Sequence, residues 1–343
     1  MTEDQLRAAF ARHEPLTPPV GPVRAAIDRL VVRRRRRRRT AAAAGAVLAL
    51  LGAVGLAAPQ LRPVPTGGTA AGPAAPAAAL NVLLLGVDVA DGARAPRADS
   101  VLIVHVPADR SRLYLISVPR DLPVAYPGGR IGKLNATFVA GGTDLRAGYA
   151  ATHRAVTDLT GVRMDAGAVL SYPVLRTLTD ALDGVPVCLP QRVRSVHTGR
   201  VFPAGCQRLD GRASVDLLRQ RYGMTWGGFD RDRNAQRYAA GLLHRVDERG
   251  VLTDPALLAA LLRELNRGGL VTQTGSATVP ELLALASAAA SADPVAVSVP
   301  AVFSADSSGV ALDPAARSFF PALRDDRLAD WTARNPKWVT ELD

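Results

Sequence analysis

The chain contains little lysine, cysteine or aromatic residue. Lysine stands only at Lys133 and Lys337, so arginine carries nearly all the positive charge, as is typical of the codon bias of a high-GC genome. Cys188 and Cys206 are the only cysteines. No Cys-x-x-Cys motif or Cys/His spacing is present, which excludes the usual cysteine-based zinc sites.

The positive charge of the chain is unevenly distributed. Of the net charge of +11, the first 39 residues contribute +7, and the remaining 304 residues contribute +4. A nucleic-acid-binding protein usually concentrates positive charge in its folded domain. The segment 1–39 is also too short for a helix-turn-helix reader and lacks interleaved aromatic residues. We therefore expect no nucleic-acid partner.

An arginine run precedes a long apolar segment near the N-terminus. Residues 33–39 are all arginine, and 41–58 contain no charged or polar side chain. Eighteen helical residues span about 27 Å, close to the ~30 Å hydrocarbon thickness of a bilayer. By the positive-inside rule, 1–39 is predicted to be a cytoplasmic basic tail and 40–58 a single transmembrane helix in the cell membrane. The main domain is then extracellular.

Two alternatives to this anchor remain. Gly55-Leu56-Ala57 would suit cleavage of a signal peptide, although a charged region of 39 residues is long for one. A basic tail bound to nucleic acid explains the adjoining apolar segment less well than orientation in a membrane does.

After the apolar segment, residues 59–79 are rich in Pro, Ala and Gly and are predicted to be a linker.

We predict one extracellular domain over 80–325 and a C-terminal tail over 326–343. Since this domain lies in an oxidising compartment, a disulfide between Cys188 and Cys206 is the simplest expectation. A loop of that length would contribute about 3 kcal/mol in the chain-entropy model. The alternative is two buried free thiols.

Short apolar runs alternate with amphipathic segments along the domain. Strands are predicted at 80–88, 100–106, 113–118, 166–172, 184–190 and 295–299. Helices are predicted at 144–160, 173–182, 209–221, 231–246, 255–267 and 279–290. This alternation predicts an α/β fold, an α-β-α sandwich with a central mixed sheet flanked by helices.

Two aspartates lie at the ends of neighbouring predicted strands. Asp88 follows the first strand and Asp99 precedes the second. Ligands collect at such sheet edges, and two carboxylates suffice to hold Mg²⁺ when phosphates supply further ligands. Ordinary turn and cap aspartates are the alternative.

Several cations accompany these aspartates. Arg97 lies next to Asp99, Arg120 and Asp121 follow the third strand, and Lys133 is the single lysine of the domain core. A guanidinium binds phosphate oxygens in bidentate fashion. Exposed loop ion pairs and ordinary surface residues are the alternatives.

A second group of cations lies in LLRQR and WGGFDRDRNAQR. Its members are Arg219, Arg221, Arg231, Arg233 and Gln236. Arg233 and Gln236 share one helix face, whereas Arg219 and Arg221 point apart unless the helix frays. The alternative is a solvated basic helix.

The ordered motifs LLLGVD, RADS, SVPRD, KLNA, LDG, RQR and FDRDRNAQR resemble those of the LytR–CpsA–Psr family of bacterial envelope proteins. The resemblance covers about residues 80–250 and is specific through the order and spacing of the motifs. It implies an α/β sandwich that encloses a polyprenyl-pyrophosphate ligand. It also implies transfer of a lipid-linked glycopolymer onto peptidoglycan, with the cytoplasmic membrane holding the substrate. The cysteine pair is similar to that of high-GC members.

The resemblance also implies residue roles. Asp88 and Asp99 would bind Mg²⁺, and the pyrophosphate would be bound by Arg97, Arg120, Lys133, Arg219, Arg221, Arg231, Arg233 and Gln236. Members of the family often have Arg-Gln-Gln where this chain has Ala235-Gln236-Arg237, which leaves the third position open, and Ala98 replaces a polar residue.

The expected reaction is therefore a phosphotransfer in which Arg120 stabilises charge and Asp121 serves as a general base. The lipid would occupy a groove between the sheet and the helices 144–160 and 173–182, although an ordinary core explains their composition better. A tethered module that binds lipid pyrophosphate or cell-wall polymer without catalysis, and a lipid pyrophosphatase, remain as alternatives.

Overall fold

The computed structural model of the protein describes residues 78–89, 96–251, 253–267, 270–274, 294–304 and 309–342. A seven-stranded sheet of order β11-β6-β1-β2-β3-β12-β15 forms its centre, and the other strands form short antiparallel pairs. The strands are β1 Leu80–Val87, β2 Ala98–Val106, β3 Leu113–Ser117, β4 Pro123–Ala125, β5 Ile131–Lys133, β6 Ala166–Ser171, β7 Val185–Leu189, β8 Val193–Arg194, β9 Val201–Phe202, β10 Gly205–Leu209, β11 Val271–Thr274, β12 Pro294–Ser298, β13 Ala301–Phe303, β14 Val310–Leu312 and β15 Val339–Thr340.

Helices cover both faces of this sheet. The α-helices are α1 Leu145–Thr160, α2 Tyr172–Ala181, α3 Gly211–Arg219, α4 Gly228–Glu248, α5 Pro255–Arg267, α6 Ala316–Arg324 and α7 Leu328–Arg334. The 3₁₀-helices are Leu134–Gly141 and Pro336–Trp338. The central strand β1 pairs antiparallel with β2 and parallel with β6, so the sheet is mixed, as predicted.

Alternate residues of the central strands face two separate cores. Val82 and Leu84 pack with α2, α3, α4 and α5 on one face. Leu83 and Leu85 pack with α1, α6 and α7 on the other. Because side chains alternate across a strand, an apolar run such as β1 is buried on both faces. The prediction of a central mixed sheet flanked by helices is therefore confirmed.

Local sequence signals fix the helix ends. The side chain of Asp144 caps α1 by accepting from the backbone N–H of Arg146 at 2.8 Å, and Gly161 ends that helix in the left-handed conformation. Ser171 caps α2, which has Pro173 in its first turn. These caps place the start of α2 directly beside the end of β6.

Residues 326–342, set apart above as a tail, pack against the domain. Trp331 is buried, and its ring lies edge-on to Phe319 with 4.9 Å between ring centroids. Strand β15 extends the sheet by pairing with β12. Asp326 accepts hydrogen bonds from His105 Nε2 at 3.0 Å and from the N–H of Ala108 at 2.8 Å.

Strands β7 and β10 pair antiparallel with Cys188 opposite Cys206, and a disulfide joins them. The predicted basic tail, membrane helix and linker over 1–77 and the predicted helix 279–290 lie outside the described residues. None of the helices that the structure describes combines the length and the apolar character needed to cross a bilayer.

Candidate functional site

A β-bulge positions Asp99 at the end of the β1–β2 pair. Gly86 pairs with Ser100 and Val87 with Ala98, so Asp99 is the extra residue. A Cβ on Gly86 would lie 3.1 Å from the Cβ of Ser100, which is closer than ordinary contact. A bulge redirects the side chain of its extra residue. Here the carboxylate of Asp99 reaches the lining of a large cavity.

Tyr172, the first residue of α2, links the two predicted metal ligands. Its hydroxyl donates to Asp99 Oδ2 at 3.2 Å, and its ring lies 5.4 Å from the guanidinium of Arg219. Arg219 in turn contacts Asp88 Oδ2 at 3.2 Å. Burial, followed by the nearby Asp88 charge, raises the pKa of Tyr172 to about 12. The hydroxyl therefore stays protonated and able to donate at neutral pH.

Arg120 forms the centre of the charged group. It is paired with Asp99, and its side chain is 14% exposed. Burial lowers the pKa of Arg120, and the neighbouring charges of Arg231 and Arg221 lower it further. Arg120, Arg221 and Arg231 thus lie near enough to repel one another, and the charges of Asp121 and Asp232 oppose this effect.

Arg231 reaches this group from the first turns of α4. The residue is 4% exposed, and its guanidinium donates to Asp232 at 2.8 Å. Burial raises the pKa of Asp232 despite that bond. The Nε atoms of Arg231 and Arg120 are both buried without a hydrogen-bond partner among the described residues. A buried donor without a hydrogen-bond partner indicates a place for an acceptor oxygen of a ligand.

Asp121 and Lys133 form the outer edge of the site. Lys133 Nζ lies 3.2 Å from Asp121 Oδ1, and Arg120 Nε lies 3.8 Å from Asp121 Oδ2. Asp121 lies two residues before strand β4, and Lys133 is the last residue of strand β5. The backbone N–H of Asn135 donates to Arg120 O at 2.8 Å. The hairpin therefore holds Lys133 and Arg120 in fixed relation.

A mainly apolar cavity opens at this charged group. It contains about 1140 Å³ of empty space, its open mouth included, and lies between the sheet and helices α2, α4 and α5. Its charged lining residues are Asp99 and Arg231, while its walls are aliphatic residues such as Leu84, Leu175 and Leu242. The site thus joins an apolar chamber to a cluster of guanidinium groups.

One of the two helices predicted to border a lipid groove lines the cavity. Helix α2 lines the cavity through Leu175 and Leu178. Helix α1, predicted as the other wall, packs through Tyr149 and Val156 on the opposite face of the sheet. The wall that the prediction assigned to α1 is supplied by α4 and α5 instead.

Of the eight predicted pyrophosphate ligands, Arg231 lines the cavity, and three others are placed differently from the group around Arg120. Arg97 is exposed ahead of β2. Arg233 pairs with Asp230 at 2.8 Å on another flank of α4. Gln236 is fully buried, and its amide donates to Leu115 O, Ser117 Oγ and Val297 O and accepts from Thr340 Oγ1, all within 3.1 Å. Their roles toward a ligand stay predictions.

Tyr172 and Asp232 are site residues that the sequence analysis did not select. Tyr172 ended a predicted strand, with nothing to show that it would face Asp99. Asp232 stands inside FDRDRNAQR, and its place between two arginines was the available signal. Among the described residues, no group of three or more His, Cys, Asp or Glu forms a metal cluster.

An α/β sandwich with an apolar cavity that ends at clustered arginines and aspartates defines the structural class of this protein. The match to the LytR_cpsA_psr family model over residues 67–302 places this chain more narrowly. The chain belongs to that family.

Relatives support this placement. The cell wall biosynthesis protein LcpA of Corynebacterium glutamicum is 32% identical over 195 residues, which is 51% of this chain and 38% of LcpA. The polyisoprenyl-teichoic acid–peptidoglycan teichoic acid transferase TagU of Oceanobacillus iheyensis is 27% identical over 166 residues, 48% of this chain and 51% of TagU. The matched segment spans about half or less of these relatives.

The fold has a solved counterpart in the LytR-Csp2A-Psr enzyme from Actinomyces oris. That structure aligns with a TM-score of 0.57 at 23% identity and covers 73% of this chain and 92% of its own. At this identity the likeness concerns the fold.

Proposed function

We propose that this protein is a membrane-anchored phosphotransferase that moves a glycopolymer from a polyprenyl-pyrophosphate carrier onto peptidoglycan. The observation that carries the proposal is the apolar cavity that ends at Arg231, Arg120 and Asp99. A polyprenyl pyrophosphate has the same division, with an aliphatic chain and a compact anionic head. The relatives named for cell-wall biosynthesis and teichoic acid transfer support the reaction class.

The cavity walls suit the carrier chain. Their leucine, valine and alanine side chains offer no hydrogen bonds, so an isoprenoid chain gains by leaving water, at roughly 25 cal/mol per Å² of apolar surface buried. The carrier resides in a bilayer, which agrees with the membrane anchor predicted at 40–58.

The arginines suit the head group. The buried Nε atoms of Arg120 and Arg231, which have no hydrogen-bond partner among the described residues, offer donors to phosphate oxygens, and Arg219 and Arg221 add charge at the rim. Anion binding would relieve the mutual repulsion that lowers the pKa of Arg120. Charge-assisted bonds of this kind are the strong ones.

The donor set also fits Mg²⁺. Asp88 and Asp99 are hard oxygen ligands grouped around Tyr172, and Mg²⁺ is commonly held by one or two carboxylates together with substrate phosphates. The bound ion would neutralise charge on the phosphate oxygens. Because both carboxylates are paired with arginines, binding of substrate and metal would redistribute these ion pairs.

In the proposed reaction, a hydroxyl oxygen of the acceptor attacks the phosphorus next to the glycan. The bond from that phosphorus to the bridging oxygen breaks, polyprenyl phosphate leaves, and a phosphodiester joins glycan to peptidoglycan. Arg120 and Arg231 stabilise charge that develops on the phosphate oxygens. Asp121 is the proposed acceptor of the hydroxyl proton, with Lys133 orienting it.

The test is release of polyprenyl phosphate by the full-length protein from a polyprenyl-pyrophosphoryl oligosaccharide, with and without peptidoglycan oligomers. We expect Mg²⁺-dependent release that falls by at least about 100-fold in Arg120→Ala and Asp99→Asn, in line with the loss of one preorganised charge. Arg317→Ala, an exposed arginine on α6, is the matched control.

The outcomes separate the alternatives. Label transferred to peptidoglycan supports the transferase. Release without transfer indicates a lipid pyrophosphatase. Tight binding of the lipid without release under any metal condition contradicts both and leaves a tethered binding module.

A further inference from the structure

A second cavity lies on another flank of helix α4. It contains about 720 Å³ of empty space, open mouth included. Its walls are the segment that follows β7, the loop Met224–Trp226 and the α4 residues Asp230, Arg233, Asn234 and Arg237. Neither the lipid nor the pyrophosphate proposed above requires this space.

The cavity carries excess positive charge. Arg233 and Arg237 line the cavity with one carboxylate, that of Asp230, which pairs with Arg233 at 2.8 Å, while the charge of Glu341, outside the lining, also acts on Arg237. Burial lowers the pKa of Arg237, and the nearby Arg233 lowers it further. An anion in the cavity would offset the charge that Asp230 leaves unbalanced.

The neighbouring surface has the same sign. The stretch 184–209 contains no acidic residue, and Arg192 and Arg194 at the cavity edge are exposed. This stretch is fixed in place, because the N–H of Val196 donates to the buried Gln220 at 3.0 Å. An anionic ligand would therefore meet a preformed basic border.

An aromatic face and an amide complete the site. The side chain of Trp226 is exposed, with a relative accessibility of 54% for the residue, and the backbone N–H of Trp226 donates to Asp230 Oδ2 at 2.7 Å, which fixes the loop. Asn234 is 3% exposed, and its amide nitrogen contacts only the weak acceptor Met224 Sδ, at 3.8 Å, among the described residues. A buried amide donor with so weak a partner indicates an absent ligand acceptor.

These features together suit a sugar that carries a carboxylate. The C–H face of a pyranose ring packs on an exposed indole, its hydroxyl or acetamido oxygen accepts from an amide such as that of Asn234, and a carboxylate pairs with guanidinium. The loop that contains Trp226 also connects Arg221 to Arg231. The residues of this site are therefore adjacent in sequence to the arginines proposed to bind the pyrophosphate.

We propose that this cavity is a subsite for a saccharide of the acceptor glycan whose carboxylate is free, as in a muramic acid unit without a stem peptide, a proposal that rests on the proposed function for the identity of its occupant. Helix α4 would then present Arg231 to the donor phosphates and Arg233, Asn234 and Arg237 to the acceptor.

The experiment measures binding to the full-length protein without lipid substrate. The probe is the disaccharide of N-acetylglucosamine and N-acetylmuramic acid, and the neutral reference is the N-acetylglucosamine disaccharide, which lacks the lactyl carboxylate. Titration calorimetry should give at least about tenfold tighter binding of the acidic probe. Trp226→Ala and Arg233→Gln should each weaken it by about tenfold or more, while Trp226→Phe retains most of the binding.

Arg317→Gln is the matched arginine control, and unchanged melting temperatures show that the variants fold. Equal binding of the two disaccharides, or binding that is indifferent to both Trp226→Ala and Arg233→Gln, overturns the proposal. Because no transfer is measured, a failure here with intact polymer transfer would place the acceptor elsewhere and leave the proposed function standing.

Discussion

The hydroxyl of Tyr172 donates to Asp99 Oδ2 at 3.2 Å while its ring lies 5.4 Å from the guanidinium of Arg219. One side chain thus positions a proposed metal ligand by its polar end and a proposed phosphate ligand by its π face. Through Arg219 the contact extends to Asp88. Tyr172 is therefore a positioning residue, and different substitutions can remove its hydroxyl alone or its hydroxyl together with its ring.

Tyr172→Phe removes the hydrogen bond and keeps the ring. We expect lipid-phosphate release to fall by about 10-fold or more, in line with roughly 1.5–3 kcal/mol for one hydrogen bond to a charged group, and the Mg²⁺ concentration for half-maximal activity to rise. Lipid-phosphate release should fall further in Tyr172→Ala, because Arg219 then also loses the aromatic ring against which it packs. A Phe variant with unaltered Mg²⁺ dependence would contradict the positioning role.

The apolar cavity predicts selection by chain length. Ala239 lines the cavity from α4, and Ala239→Phe would fill part of it. Binding of a C20 isoprenyl pyrophosphate should weaken by at least about tenfold, whereas that of a C5 pyrophosphate should change little. His244→Phe, at an exposed position of the same helix, is the control. Equal weakening of both ligands would show that the chain does not enter this space.

Gln236 should contribute to stability more than to ligand binding. Its buried amide joins α4 to β3, β12 and Thr340. Gln236→Ala leaves these groups unpaired and should lower the free energy of unfolding by roughly 2–4 kcal/mol. Urea denaturation measures the loss, and isoprenyl pyrophosphate affinity of the folded variant measures the ligand role. A large affinity loss with little destabilisation would support the sequence-based assignment instead.

The disulfide predicts redox-dependent stability. Cys188 and Cys206 are 18 residues apart, so replacing both with Ala should cost about 3 kcal/mol in the chain-entropy model. The oxidised protein should lose a similar amount on reduction, and the double variant should not respond to reductant. Denaturation with and without reductant checks both statements.

The lowered pKa of Asp326 predicts that this carboxylate contributes to acid denaturation. The hydrogen bond from His105 holds the pKa of Asp326 below its usual range. A depressed carboxyl pKa contributes stability that is present above the unfolded value of about 4 and is lost as pH falls through the folded pKa. Asp326→Asn should therefore flatten the stability curve below pH ~4. Urea midpoints between about pH 5 and 2.5 measure the slope, and an unchanged slope would contradict the prediction.

Long elements were predictable because their patterns are local. The strand predicted at 80–88 and the helix at 144–160 match β1 and α1 to within a residue, since apolar runs and caps mark them. The two-residue strands β8 and β9 lack such a pattern and were missed. Their position depends on Gln220, which belongs to another segment.

The site was predictable in composition more than in geometry. Asp99, Arg120 and Arg231 come together as the motif order suggested. Spacing could not show that Gln236 would turn to carbonyl groups more than 60 residues away, since Val297 is 61 residues distant. Nor could it show that Tyr172 would contact Asp99. Tyr172 begins a helix directly after strand β6, so the residues it contacts depend on the position of β6 in the sheet.

The bulge at Asp99 makes the site sensitive to the length of the chain. Side chains alternate across a strand, so removal of one residue at the bulge would restore regular pairing of β1 with β2. The residue then next to Ser100 would take a ladder position, and no carboxylate would project toward Arg120. The fold would persist on its two cores while Arg120 lost its ion pair with Asp99. Insertions and deletions at the start of β2 therefore separate folding from ligand chemistry in a way that few substitutions can.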